Sequence, residues 1–184
     1  MEHNYVCPWQ AGPILTATLR KLLHNPAKIT KPYLSNGNTA MDVGCGMGFL
    51  TIPMAEIVGK QGKVIAVDLQ SKMLDGLKTN MQKQGIKSIT PHLCETDSLR
   101  IEQWNGTVDF ALIFMMLHEV PDADRLIREV YDALAPNGKL LFAEPIVHVS
   151  KEKFNQELNM IQEFGFSMID TPKISICRTA VFQK

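Results

Sequence analysis

Three glycines spaced two apart, Gly44-Cys45-Gly46-Met47-Gly48, follow the apolar run at residues 40–43, with Asp42 just ahead of them and Asp68 20 residues after Gly48. Glycine is needed where the backbone takes positive φ or where a ligand comes too close for a Cβ. The loop therefore offers bare backbone to a ligand, and a helix starting there adds amides that favour a negatively charged group. An acid at the end of the next strand can accept both hydroxyls of a ribose, so the ligand is read as nucleoside-like. The spacing is G-x-G-x-G, whereas a dinucleotide fingerprint reads G-x-G-x-x-G, and its last glycine position is Phe49 here. An acid at Asp42 repels a pyrophosphate but accepts hydrogen bonds from an ammonium group or from the loop's own amides. Both features argue against an NAD-dependent oxidoreductase, the first alternative.

The elements that must position these residues are legible as short apolar runs alternating with amphipathic stretches. The runs are residues 39–43, 63–67, 89–94, 108–117 and 139–143. Residues 64–67 and 110–114 are continuously apolar, as expected of central strands covered on both faces. Helical spacing joins Met73, Leu74, Leu77 and Met81, and again Leu126, Ile127, Val130, Tyr131 and Leu134. After a helix carrying Phe154, Leu158, Ile161 and Phe164, a strand to about Ile169, a turn at Thr171-Pro172 and a strand over 174–182 follow. That connection is too short for a parallel crossover, so these two strands form an antiparallel hairpin. The predicted fold is α/β: a doubly wound, mostly parallel seven-stranded sheet with a C-terminal antiparallel hairpin. Leu15, Leu19, Leu22 and Leu23 predict a helix over 12–25 with Pro26 just past its end, and the turn-rich residues 35–38 close that segment. The expected division is an N-terminal helical segment at 1–38 and a core at 39–184. Asp122 before Ala123 reads as a helix cap.

Of the 184 residues, 45% are apolar and 21% charged, with 19 basic against 19 acidic side chains. This balance supplies no long-range field toward nucleic acid or anionic lipid. No apolar run reaches the length of a membrane helix, and the first residues lack the basic-then-apolar pattern of a secretory signal, so a cytoplasmic location is expected. Cys7, Cys45, Cys94 and Cys177 are too scattered for a disulfide framework or a zinc site. They are read as reduced thiols, and no metal is expected.

The glycine block resembles motif I of the class I S-adenosylmethionine-dependent methyltransferases. The resemblance continues in order along residues 39–184. Asp68-Leu69 is similar to the ribose-binding acid and the apolar residue on the adenine. Leu93-Cys94-Glu95-Thr96-Asp97-Ser98-Leu99 resembles the segment written G-D-A-x-x-L, and either Glu95 or Asp97 takes the place of the acid that meets the adenine amino group. Residues 108–122 resemble the fourth-strand block. Leu134-Ala135-Pro136-Asn137-Gly138 resembles the L-x-P-G-G turn before strand five, with Asn137 for a glycine, which Asn's tolerance of left-handed backbone allows. Within the family, the fourth-strand block is most similar to small-molecule methylases of the quinone-biosynthesis type.

The resemblance implies a Rossmann-like methyltransferase fold, S-adenosylmethionine as cofactor, a small-molecule acceptor and in-line methyl transfer. It assigns cofactor binding to Asp42, Gly44, Cys45, Gly46, Met47, Gly48, Asp68, Leu69, Glu95, Thr96, Phe114 and Met115. His118 and Glu119 after strand four, and Glu144 and His148 after strand five, are candidate bases for the acceptor's proton, while an acceptor arriving deprotonated needs none. Nucleic-acid base or glutamine methylation goes with an (N/D)-P-P-(Y/F) tetrad, which Met115-Met116-Leu117-His118-Glu119 does not match. Tyr5, Cys7, Pro8 and Trp9 are dense in aromatic and constrained side chains and suit a lid over the acceptor. A second alternative is a non-catalytic partner subunit that binds the cofactor without transferring from it. Oligomeric state is not readable from these residues.

Overall fold

The computed structural model describes residues 24–184. The predicted helix over 12–25 and the aromatic cluster at Tyr5, Pro8 and Trp9 therefore lie outside the described residues. The chain divides into two compact units at Cys94/Glu95.

In the first unit, Pro26 opens a helix that the sequence reading did not predict. It heads α1 (Pro26–Thr30), and the Asn25 side chain caps that helix by accepting from the Lys28 amide at 3.2 Å. The fixed φ of proline and its missing N–H suit the first helical position as well as they suit a helix end. Three parallel strands follow, β1 (Thr39–Val43), β2 (Lys63–Asp68) and β3 (Ile89–Leu93), paired in register Thr39↔Lys63 and Val64↔Ile89. The apolar runs of β1 and β2 are buried, as their unbroken hydrophobicity requires. β3 is only part-buried and carries Pro91, which suits an outer strand. Helix α2 (Thr51–Val58) joins β1 to β2, and α3 (Ser71–Gln84) joins β2 to β3. Met73, Leu74 and Leu77 form the buried stripe of α3, which ends at Gly85 in left-handed backbone.

In the second unit, β4 (Val108–Phe114) pairs in parallel with β5 (Leu134–Pro145). The expected turn at residues 134–138 lies inside β5 as an irregularity: Val108 pairs with Leu134 and Phe110 with Lys139. Asn137 takes φ +66° there, and a Cβ on Gly138 would stand 2.8 Å from the Ala135 carbonyl oxygen. Helix α4 (Ala123–Ala133) begins at the expected cap, with Asp122 accepting from the Arg125 amide at 2.9 Å. Helix α5 (Lys151–Glu163) is capped by Ser150 and leads to β6 (Ser167–Asp170) and β7 (Cys177–Gln183). β7 runs antiparallel to both β5 and β6. It begins at Cys177 instead of Ile174, because Ile176 takes φ +54° and breaks the extended run. Among the described residues Phe110, Phe142 and Phe182 are the largest fully buried side chains, and Phe142 stacks on Phe154 of α5 at 5.4 Å.

The strand order is β3-β2-β1-β4-β5-β7-β6. This is the mostly parallel seven-stranded α/β sheet with antiparallel C-terminal strands read from the sequence. Among the described residues no helix is long and apolar enough to cross a membrane.

Candidate functional site

Two groups of side chains stand at the carboxyl ends of parallel strands, one in each unit. In the first unit the chain leaves β1 and folds back on β2: the Gly44 and Cys45 amides both donate to the Val67 carbonyl, at 2.9 and 3.0 Å. Gly44, Gly46 and Gly48 have φ of +75°, +54° and +94°, so each sits where an L side chain is strained. Gly46 and Gly48 are glycine for different further reasons. A Cβ on Gly48 would stand 2.5 Å from Leu77 Cδ1, whereas one on Gly46 would meet nothing within 4 Å. Packing excludes a side chain at Gly48. At Gly46 the backbone lies bare toward open space.

Asp68, buried at the end of β2, holds that bare peptide. Its Oδ2 accepts from the Gly46 amide at 2.8 Å and its Oδ1 from the Gln70 amide at 2.8 Å. Burial pushes its carboxyl above the usual range, against the lowering effect of the Gln70, Gly46 and Leu69 amides. Each oxygen keeps lone-pair capacity for a ligand hydroxyl. Asp42 is buried as well, and its Oδ2 accepts from the Thr51 hydroxyl at 2.6 Å, fastening the end of β1 to the first residue of α2. The Met47 carbonyl accepts from Asn80 Nδ2 at 3.0 Å. Burial, reinforced by the Asp42 and Asp68 charges, pushes the Cys45 thiol up, so it stays protonated and unreactive. Leu69 is half-buried beside Asp68. Thr51, Gln70 and Asn80 were not among the residues predicted, and no local spacing marks them.

In the second unit the predicted residues separate into two places. Glu95 Oε2 accepts from the Arg100 guanidinium at 2.7 Å, with both side chains more than half exposed, and Thr96 is exposed. Asp97 lies 3.8 Å from the Arg125 guanidinium. The segment is anchored by Glu129 of α4, which accepts from the Ser98 hydroxyl at 3.0 Å and the Leu99 amide at 2.6 Å.

The other place is built on the ends of β4 and β5. Phe114 is buried, and Met115 takes φ +60° with its amide donating to the Ala143 carbonyl at 2.7 Å. This turn ends β4 three residues short of the predicted 117 and opens a 3₁₀ turn, Leu117–Glu119. His118 in that turn meets Glu144, which is 0% exposed: the His118 amide donates to Oε1 at 3.2 Å, and Nδ1 donates to Oε2 at 2.5 Å. With Nδ1 committed, proton exchange falls to Nε2. The hydrogen bond to Glu144 raises the imidazole's proton affinity against the effect of burial, and the charges of Glu144, Glu119 and Glu157 add to it. Nε2 lies 3.9 Å from Glu119 Oε1, and the His148 ring stacks on that of His118 with centroids 5.5 Å apart. All four candidate bases therefore gather here. A carboxylate holding one ring nitrogen of a histidine is an arrangement suited to general-base work.

A fifth member was not predicted. Glu157 on α5 is buried at 3% exposure, and burial followed by the Glu144 charge pushes its carboxyl up to about 7. Among the described residues no group of three or more His, Cys, Asp and Glu side chains is placed to hold a metal ion.

A family model described as a methyltransferase domain matches residues 34–174. Demethylmenaquinone methyltransferase of Lactobacillus johnsonii is 33% identical over 124 residues, which make up 64% of this chain and 50% of that protein. The protein of the same name from Bacillus cereus is 32% identical over 108 residues, 59% of this chain and 45% of that protein. The chain thus spans about half the length of the curated relatives it matches. Among solved structures, a SAM dependent methyltransferase from Aquifex aeolicus superposes with a TM-score of 0.86 at 23% identity, over 97% of this chain and 99% of that one. The 4+2 cyclase SpnF superposes with a TM-score of 0.67 at 22% identity, over 84% of this chain and 60% of that one. These likenesses establish the shared fold.

Proposed function

The chain belongs to the methyltransferase-domain family, and from that premise we propose that it binds S-adenosylmethionine and transfers the sulfonium methyl to a small-molecule acceptor by in-line displacement. The observation that carries this reading is the bond from the Gly46 amide to Asp68 Oδ2, at 2.8 Å, in a loop whose bare backbone faces open space at Gly46. A cationic nucleoside fits these residues better than a pyrophosphate does, since two buried acids flank the loop and residues 42–50 contain no lysine or arginine.

Asp68 accepts the ribose hydroxyls on the lone pairs that its two amide bonds leave open. Gly44, Cys45, Gly46, Met47 and Gly48 present the backbone, Leu69 packs on the base, and Asp42 places a negative charge behind the loop. Glu95, Thr96, Phe114 and Met115 are assigned to the adenosine on the strength of the family pattern. When bound, the cofactor supplies an activated methyl group and leaves as S-adenosylhomocysteine. His118 Nε2 takes the proton that the acceptor sheds, Glu144 holds the ring through Nδ1, and Glu119 and His148 flank it. The acceptor is a demethylated quinol, the class suggested by the relatives' names. We also propose a cytoplasmic location and no nucleic-acid or membrane partner, in keeping with 19 basic against 19 acidic side chains. Residues 1–38 are assigned to covering the acceptor, and residues 39–184 to the catalytic core.

The first test is binding. S-adenosylhomocysteine at about 100 times its dissociation constant is expected to stabilise the fold by about 2.7 kcal/mol, read as a rise of several degrees in melting temperature, while NADH gives none. A shift with NADH alone sinks the reading. The second test is transfer of a labelled methyl group to a demethylated naphthoquinol. One observation favours a different reading: SpnF, named as a 4+2 cyclase, shares this fold, and a fold does not fix its chemistry. Binding without transfer to any acceptor would select that non-transferring alternative.

A further inference from the structure

Helix α5 carries its charges outward at Lys151, Glu152, Lys153 and Glu163, all exposed, yet Glu157 lies in the buried stripe between Phe154 and Ile161. An apolar residue there would bury without penalty, whereas a carboxyl needs hydrogen-bond partners. Glu157 Oε2 has none among the described protein atoms. The packing shows what it faces. Phe154 stacks on Phe142, and Phe142 and Glu144 lie on the same face of β5 because side chains alternate along a strand. Glu144 and Glu157 therefore belong to one interface, between the end of β5 and the buried face of α5, with His118 bonded to Glu144 beside them.

We propose that Glu157 is a positioning residue acting through Glu144 and His118: a buried acid that releases its proton when His118 gains one, so that the cluster keeps a constant charge. The balance is one proton in and one out. The acceptor's proton goes to His118 Nε2, the new imidazolium favours ionisation of Glu157, and the Glu157 proton leaves to water; the reverse exchange resets the cluster. Two carboxylates buried in one interface, with the charge of Glu144 bearing on Glu157, cannot both ionise cheaply without a nearby cation, which is what couples the two events. The groups bearing on Glu157 are Glu144 on β5, His118 in the 3₁₀ turn and Lys153 on its own helix. Glu119 and His148 adjoin His118, and Arg178 on β7 is the register partner of Glu144, with its guanidinium donating to the Val149 carbonyl.

This inference rests on the proposed role of His118 and Glu144, but its test needs neither cofactor nor acceptor. The His118 ring is followed by NMR from pH 5 to 9 in the isotope-labelled full chain, with the signal assigned by its loss in His118→Gln. In the unsubstituted protein the His118 curve should show a second inflection near pH 7, where Glu157 ionises. In Glu157→Gln that inflection should vanish and the ring's proton affinity should fall by about two- to tenfold, because a negative neighbour has been removed. Glu157→Leu, which completes the apolar stripe, should give the same curve. A curve unchanged in both variants overturns the proposal, and so does failure of both to fold, which would make Glu157 purely structural. Either result leaves methyl transfer untouched, while transfer unimpaired in His118→Gln would sink the base and leave the electrostatic coupling standing.

Discussion

The glycine loop and the His118–Glu144 pair occupy similar places, each at the carboxyl end of a parallel strand, with Glu144 itself the second-last residue of β5, but they handle charge in opposite ways. Around the loop, the acid Asp68 is met by two backbone amides that cannot titrate. Around His118, acids and imidazoles meet each other, and one carboxyl oxygen of Glu157 is left without a partner. In the first arrangement the partners that hold the acid carry no titratable proton. The second is one whose protons can move. A protein that must hold a cofactor firmly and relieve an acceptor of a proton needs one of each.

The sharpest way to break this contrast is Asp68→Ala. It removes the acceptor of both the Gly46 and Gln70 amides as well as the proposed ribose contact, and should weaken S-adenosylhomocysteine binding about 100- to 1000-fold, or about 3–4 kcal/mol, by calorimetry. A loss below threefold would mean that the ligand does not use this acid. The two glycines allow a finer dissection. Gly48→Ala drives a Cβ to 2.5 Å from Leu77 Cδ1 at φ +94°, and should cost about 2–3 kcal/mol of folding stability in urea melts. Gly46→Ala meets no atom within 4 Å, so only the left-handed backbone penalty of about 1–2 kcal/mol applies. Its larger effect should be on cofactor affinity. Equal losses of affinity in the two variants would show that the open space at Gly46 is not where the ligand approaches.

How much of this was legible beforehand differs between the two regions for a physical reason. The loop could be read because glycine has a conformational meaning at a stated spacing, and the strand before it runs 39–43 as its apolar run does. Asp122 as a cap was legible on similar local grounds. The fastening of Asp42 to Thr51 was not, since nothing in a nine-residue separation announces that contact. β4 was read through Leu117 because residues 110–117 are mostly apolar, but Met115 leaves the strand to bond Ala143, a tertiary contact invisible to periodicity. On α5 the reading placed Leu158 and Phe164 in the apolar stripe. The structure leaves both half-buried and puts Glu157 inside. Hydrophobic pattern sends glutamate outward by construction, so it misses a charged residue held inward against another acid.

The weakest effect is the one that separates the regions most directly. Glu157 in the unfolded chain ionises near 4.5, the ordinary value for a glutamate, and in the fold at about 7. A folded value raised in this way means that the native state binds the proton more tightly, so the carboxyl is harmless below pH 4.5 and costs stability as pH rises toward 7. Glu157→Leu should therefore gain relative stability across that window and hold the gain above it. Discounted for solvent screening, the difference in the variant's advantage between pH 5 and pH 8 should be about 1–2 kcal/mol, read from urea midpoints at the two pH values. The apolar burial of the new leucine contributes equally at both and cancels. An advantage of the same size at pH 5 and pH 8 would mean that Glu157 binds no extra proton on folding. His118 would then be the group of that cluster left to exchange a proton, with no compensating change at Glu157.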